Sequence, residues 1–94
     1  MEVYIGTILK FPFDFTPKYW MVCHGQILPI KENYTLFSLL ETTYGGDGIT
    51  NFAIPDLRVK NDKGEYYKPG DIMSDGGHYI DSYISISGIY PPRS

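Results

Sequence analysis

One cysteine and two histidines are the side chains with the readiest chemistry in this 94-residue sequence. Cys23 and His24 are neighbours, and His78 lies far along the chain. A thiolate–imidazole pair requires its two side chains to converge. Adjacent residues of an extended chain point to opposite faces, so Cys23 and His24 diverge. The histidines show neither an H-x-H nor an H-x-x-x-H spacing, so neither extended nor helical backbone would pair them on one metal. Cys23 ends the apolar run Tyr19-Trp20-Met21-Val22-Cys23, where a thiol is expected to be buried and inert. A lone cysteine also excludes a disulfide within the chain. The 11 acidic residues are scattered, mostly beside Gly, Lys or Pro in turn-like segments. Two of them could meet as an acid/base pair, but spacing singles out none, and each reads as solvated surface. Gly45-Gly46-Asp47-Gly48 lacks the Lys-Ser/Thr of a phosphate loop and reads as left-handed or crowded backbone. Asp47 offers a single carboxylate, where calcium takes roughly six to eight oxygens. No catalytic, cofactor-binding or metal residue is expected, and the chain is not expected to be an enzyme.

The elements that must position these residues come from one small domain, spanning 1–94. The hydrophobic fraction is 43% and the aromatic fraction 16%, too apolar to stay disordered. Net charge is −3, from 8 cations and 11 anions without any Lys/Arg run. Nucleic acid and anionic membrane surfaces, which need clustered cations, are therefore not expected partners. No basic, apolar leader opens the sequence, and no apolar run approaches the ~20 residues of a membrane span. Synthesis in a cytoplasm is expected.

Val3, Ile5, Leu9 and Phe11 share one parity, which predicts a strand over 2–11. Pro12 and Pro17 make 11–17 a loop. Residues 19–23 predict a second strand, and Gln26-Ile27-Leu28 continues beyond His24-Gly25 as the return arm of a tight hairpin with positive φ at both turn residues. Asn33 as N-cap, with Leu36, Phe37 and Leu40 on one face, predicts a helix at about 33–41. Residues 50–54 predict a short strand, and 59–67 two ribbons around an Asp62-Lys63-Gly64 turn. The stretch 68–78 reads as loop. Ile80, Ile84 and Ile86 predict a closing strand over about 79–90, ended by Pro91-Pro92 in an ordered tail. The expected fold class is α+β: several short antiparallel strands with one short helix.

Pro17, Trp20 and Cys23-His24-Gly25-Gln26 resemble the Pro-x-x-Trp-x-x-Cys-(Asp/Asn)-Gly-Gln pattern of the phage tail collar domain family. Leu36-Phe37-Ser38-Leu39-Leu40 and Thr43 to Gly48 are similar to that family's helix and glycine turn. Phe52-Ala53-Ile54-Pro55-Asp56-Leu57-Arg58 resembles its Phe-x-x-Pro-Asp-Leu-Arg ending, and Gly6, Ile8 and Phe11 fit its opening. The motif part covers 4–58. Residues 83–93 resemble the closing strand of the microcystin-dependent-type subgroup, with only a short variable part, 59–78, between. His24 stands where Asp or Asn is usual, Glu41 where Gly often follows the helix, and no Gly-Arg continues after Arg58.

The resemblance implies a structural module of a tail fibre or baseplate appendage, in a virion tail or a phage-derived extracellular particle. It implies self-association, with a trimer favoured, and contacts to other tail or baseplate proteins. Trp20, Cys23, Gly25, Leu36, Phe37, Leu40, Gly45, Gly46, Gly48, Pro55, Asp56 and Arg58 are its expected structural residues. Tyr66, Tyr67, Tyr79 and Tyr83 lie in or beside the variable part. They are either core or subunit contacts, or an aromatic surface for a host glycan or protein, which would make the chain an adhesin module.

Overall fold

In a computed structural model, residues 3–12 and 16–91 are described. The elements in chain order are β1 (Ile8–Lys10), β2 (Trp20–Val22), β3 (Ile27–Pro29), α1 (Tyr34–Leu40), β4 (Asn51–Ala53) and β5 (Ser82–Ser85). They form two antiparallel sheets, one ordered β1-β5-β2 and the other β3-β4. This is the expected α+β class. The closing strand is the centre of the larger sheet: Ile84 pairs with Ile8 on one side and with Met21 on the other. Pairing on both edges satisfies the backbone groups of β5, and all four of its residues are buried.

The core draws on both sheets and the helix. Ile5, Cys23, Leu28, Leu36, Phe52, Ile54 and Ile84 form one buried cluster, against which Met21, Ile30, Phe37, Leu39, Leu40 and Ile86 pack. Leu28 and Phe52 are register partners in the β3-β4 sheet, and the Phe37 ring lies 5.4 Å from that of Phe52. Burying each such side chain contributes roughly 1.5–3 kcal/mol, so a helix of seven residues, too short to persist alone, is held by this face.

Several expectations are corrected. The strand expected over 2–11 is only β1, because Gly6 takes φ +88 and the Thr7 N–H turns back to the Tyr4 carbonyl at 3.2 Å. Tyr4 instead bridges Ile89 in parallel. His24-Gly25 is not a hairpin: β2 pairs with β5 and β3 with β4, and only Gly25 has positive φ, at +76. A local turn signal cannot see that another strand claims each arm. Asn33 does not cap through its side chain; its amide donates to the Pro29 carbonyl at 3.1 Å. The closing strand contracts to 82–85. Residues 68–78 are more than loop: Ile72 bridges His78, the Gly70 N–H donates to the Tyr79 carbonyl, and the Tyr79 N–H donates to the Asp71 carbonyl, each at 2.8 Å. The expected tail after Pro91 and part of the 11–17 loop, at 13–15, lie outside the described residues.

Candidate functional site

The residues with the most chemistry meet where the chain passes from one sheet to the other. Between β2 and β3, residues 23–26 are clamped by 54–57. The Gly25 N–H donates to the Pro55 carbonyl, the Ile54 N–H to Gln26, and the Leu57 N–H to Cys23, at 3.0–3.1 Å. The clamp requires close backbone approach: a Cβ on Gly25 would stand 3.2 Å from the Asp56 Cβ, at a φ that disfavours side chains. Gln26 braces the corner from within. Its Nε2 donates to the Val22 carbonyl at 2.7 Å, and its Oε1 accepts the His24 N–H at 2.9 Å.

Arg58 closes the outer side. Its Nε donates to Asp56 Oδ1 at 2.9 Å, and its outer nitrogen to Asp56 Oδ2 at 2.7 Å and to the His24 carbonyl at 3.3 Å. This paired guanidinium pulls the Asp56 carboxyl down to about 2. Arg58 also lies 4.0 Å over the Tyr66 ring, with the Lys60 ammonium 5.1 Å away. The Asp-x-Arg pair thus ties corner to variable part.

The chemistry of the corner is quiet. Cys23 is 1% exposed, and burial, with Asp56 and Asp81 nearby, pushes its thiol up to about 11. It is therefore protonated at neutral pH and no nucleophile. The His24 Nε2 is buried without a hydrogen bond and faces Asp81 Oδ1 at 3.6 Å. Burial and the bond to Asp81 push the Tyr79 hydroxyl up to about 12. No dyad of nucleophile and base forms here. The expected hairpin role of His24 is not found: its φ is not positive, and its N–H donates to the Val22 carbonyl and to Gln26 Oε1.

The glycine turn is built, not open. Gly45, Gly46 and Gly48 all have positive φ, and a Cβ on Gly46 would lie 2.4 Å from the Phe52 Cα. Asp47 Oδ1 accepts the backbone N–H groups of Ile49, Thr50 and Asn51 at 2.8–3.0 Å. Those donors hold its carboxyl well below the usual carboxylate range. Its lone pairs serve the turn. Among the described residues, no group of three or more His, Cys, Asp and Glu could hold a metal ion, and no helix is long and apolar enough to cross a membrane.

Of the other expected structural residues, Leu36 and Pro55 are fully buried, while Phe37 and Leu40 are half-buried at the core's edge. Trp20 is not the centre of the core. It is half-buried on the edge strand β2 and packs edge-on against Phe11 at 5.0 Å. The four tyrosines do not make one surface. Tyr79 and Tyr83 are 5% and 4% exposed and offer no face to a ligand, whereas Tyr66 is 41% exposed. Tyr67 stacks on Tyr79 with centroids 6.1 Å apart. Sequence reasoning gave no role to Asp81, which has no local motif and acts only through partners distant in sequence.

The residues that build corner, helix and glycine turn lie within one continuous stretch, and the family model of the phage tail collar domain matches residues 6–61. The chain belongs to the phage tail collar domain family. No curated protein and no solved structure is detectably similar to it. In this collar domain, the motif residues that could be mistaken for a reaction centre are fold determinants. Pro17 ends the loop before β2 by accepting the Trp20 N–H at 3.1 Å, and the departure at Glu41 keeps a positive φ, +51, without glycine.

Proposed function

We propose that this collar domain is a non-enzymatic, self-associating structural module of a phage or phage-derived tail fibre or baseplate appendage. The observation that carries this reading is the family match over 6–61, in which Asp47, Asp56 and Arg58 are tied into the fold by hydrogen bonds and Cys23 is buried. The surface supports self-association. β1 is an edge strand whose three residues are all exposed, with Ile8 and Leu9 at 40% and 41%. Tyr4 and Ile89, bridged to each other, are exposed as well at 50% and 46%. Unpaired edges with apolar side chains are usually covered in native assemblies. A cyclic trimer covers one such edge per subunit contact. The other contacts of the module are to neighbouring tail or baseplate proteins, and its place is the particle's tail.

Light scattering coupled to size exclusion tests this over about 1–100 µM, because association follows mass action. A mass three times the monomer's 10.7 kDa is expected. A monomer across the whole range overturns the self-association.

A further inference from the structure

Tyr19 is one of two non-glycine residues with positive φ among the described residues, at +69. The backbone needs that turn, since the Tyr19 carbonyl accepts the Ile86 N–H at 2.9 Å. The tyrosine side chain is not needed for it. Its ring is 57% exposed, and the Lys18 ammonium lies 5.0 Å from the ring centroid. Asn or Gly would make the same turn at lower cost, because a bulky residue at positive φ is strained. The fold thus carries a penalty to hold an aromatic ring at the surface.

Tyr19 lines a cleft of about 400 Å³ together with Lys18, Trp20, Val3, Ser87, Gly88 and Ile89. Two aromatic residues adjacent in sequence line it beside Val3 and Ile89, one hydroxyl and one ammonium. No carboxylate is among the described residues that line it. We propose that this cleft binds an acidic saccharide of the uronic-acid type. The sugar's C–H face stacks on the aromatic rings, and its carboxylate meets the Lys18 ammonium, with the Ser87 hydroxyl available to a ring oxygen. A neutral sugar has no counterpart for the cation, and a basic one is repelled by it. This binding role goes beyond self-association, whose proposed surface the cleft adjoins at Ile89, and it lies away from the variable-part tyrosines.

Trp20 is the sole tryptophan, so intrinsic fluorescence reports on the cleft directly. The test titrates the full chain with a glucuronate-containing disaccharide and with its neutral glucose counterpart, each to about 20 mM. The expected result is a saturable change with the acidic sugar, with Kd on the order of 1 mM, and at least about fivefold weaker binding of the neutral one. Lys18→Met should erase that preference. Tyr19→Asn should abolish binding while the melting temperature holds or rises, because Asn relieves the strain. Absence of a saturable signal with the acidic sugar, equal binding of both sugars, or wild-type binding by Tyr19→Asn would each overturn the proposal. A melting temperature for Tyr19→Asn several degrees below wild type would do so too, by showing that the ring is there for packing.

Discussion

Gly46→Ala is the sharpest probe of how the glycine turn meets the core. A Cβ at Gly46 would lie 2.4 Å from the Phe52 Cα and 2.9 Å from both the Phe52 nitrogen and the Asn51 oxygen. All three are backbone atoms of β4, so no side chain can rotate away, and β4 must shift from β3 for the methyl to fit. The cost has two parts. Alanine at φ +94 costs about 1 kcal/mol in any context. Displacing Phe52, which is 0% exposed, loosens the largest fully buried side chain of the core and adds about 2–3 kcal/mol. Together they remove a large share of the roughly 5–10 kcal/mol a domain of this size has. Gly64 separates the two parts: its φ is +81, yet nothing lies within 4 Å of a Cβ there. Urea denaturation followed by circular dichroism should show a midpoint about 3–4 M lower for Gly46→Ala and about 1 M lower for Gly64→Ala, with a slope near 1 kcal/mol/M. Equal losses from the two substitutions would refute the packing argument, because φ alone would then explain both.

Three further outcomes are expected. Asp56, with its carboxyl held near 2 against an ordinary 3.8, contributes stability that is fully present above about pH 4 and is lost as pH falls through about 2. With its side chain 39% exposed, this is worth about 1 kcal/mol after solvent screening. Asp56→Asn should therefore flatten the acid limb of a stability-against-pH curve, and an unchanged limb would contradict the Arg58 pairing. Glu41 holds φ +51 with ψ −138 while its N–H donates to the Phe37 carbonyl, so Glu41→Gly should stabilise the chain by about 1 kcal/mol in thermal melts; destabilisation would show a role for the carboxylate. Cys23, buried and pushed up to about 11, should resist a thiol reagent in the native protein and react at once in denaturant. Fast native labelling would contradict its place in the core.

What could be read from the sequence was whatever neighbours in the chain decide. Leu36, Phe37 and Leu40 share a helical stripe, so the helix expected at about 33–41 is found at Tyr34–Leu40. Asn61 and Gly64 make a local turn, so the ribbons around 62–64 are present, with the Asn61 side chain accepting the Lys63 and Glu65 N–H groups. Strand partnership was hidden, because β5 joins β1 and β2 across more than half the chain and the 23–26 corner is made by 54–57. Trp20, expected among the structural residues, is half-buried at a sheet edge, while Phe52, Ile54 and Ile84 are 0% exposed. At the candidate site the inertness of Cys23 was legible from its apolar neighbours. The Asp81–His24 and Asp81–Tyr79 contacts were not, since they depend on how the closing segment returns. The strained Tyr19 is a backbone property with no sequence signature at all.

The proposed role makes this chain a built-in part of a tail appendage. Gold-labelled antibody against it, applied to purified particles from cells carrying its gene and viewed by electron microscopy, tests that most directly. Label on the distal tail, in fixed stoichiometry per particle, is expected. Particles free of label, with all of the protein recovered in the soluble fraction, would contradict it.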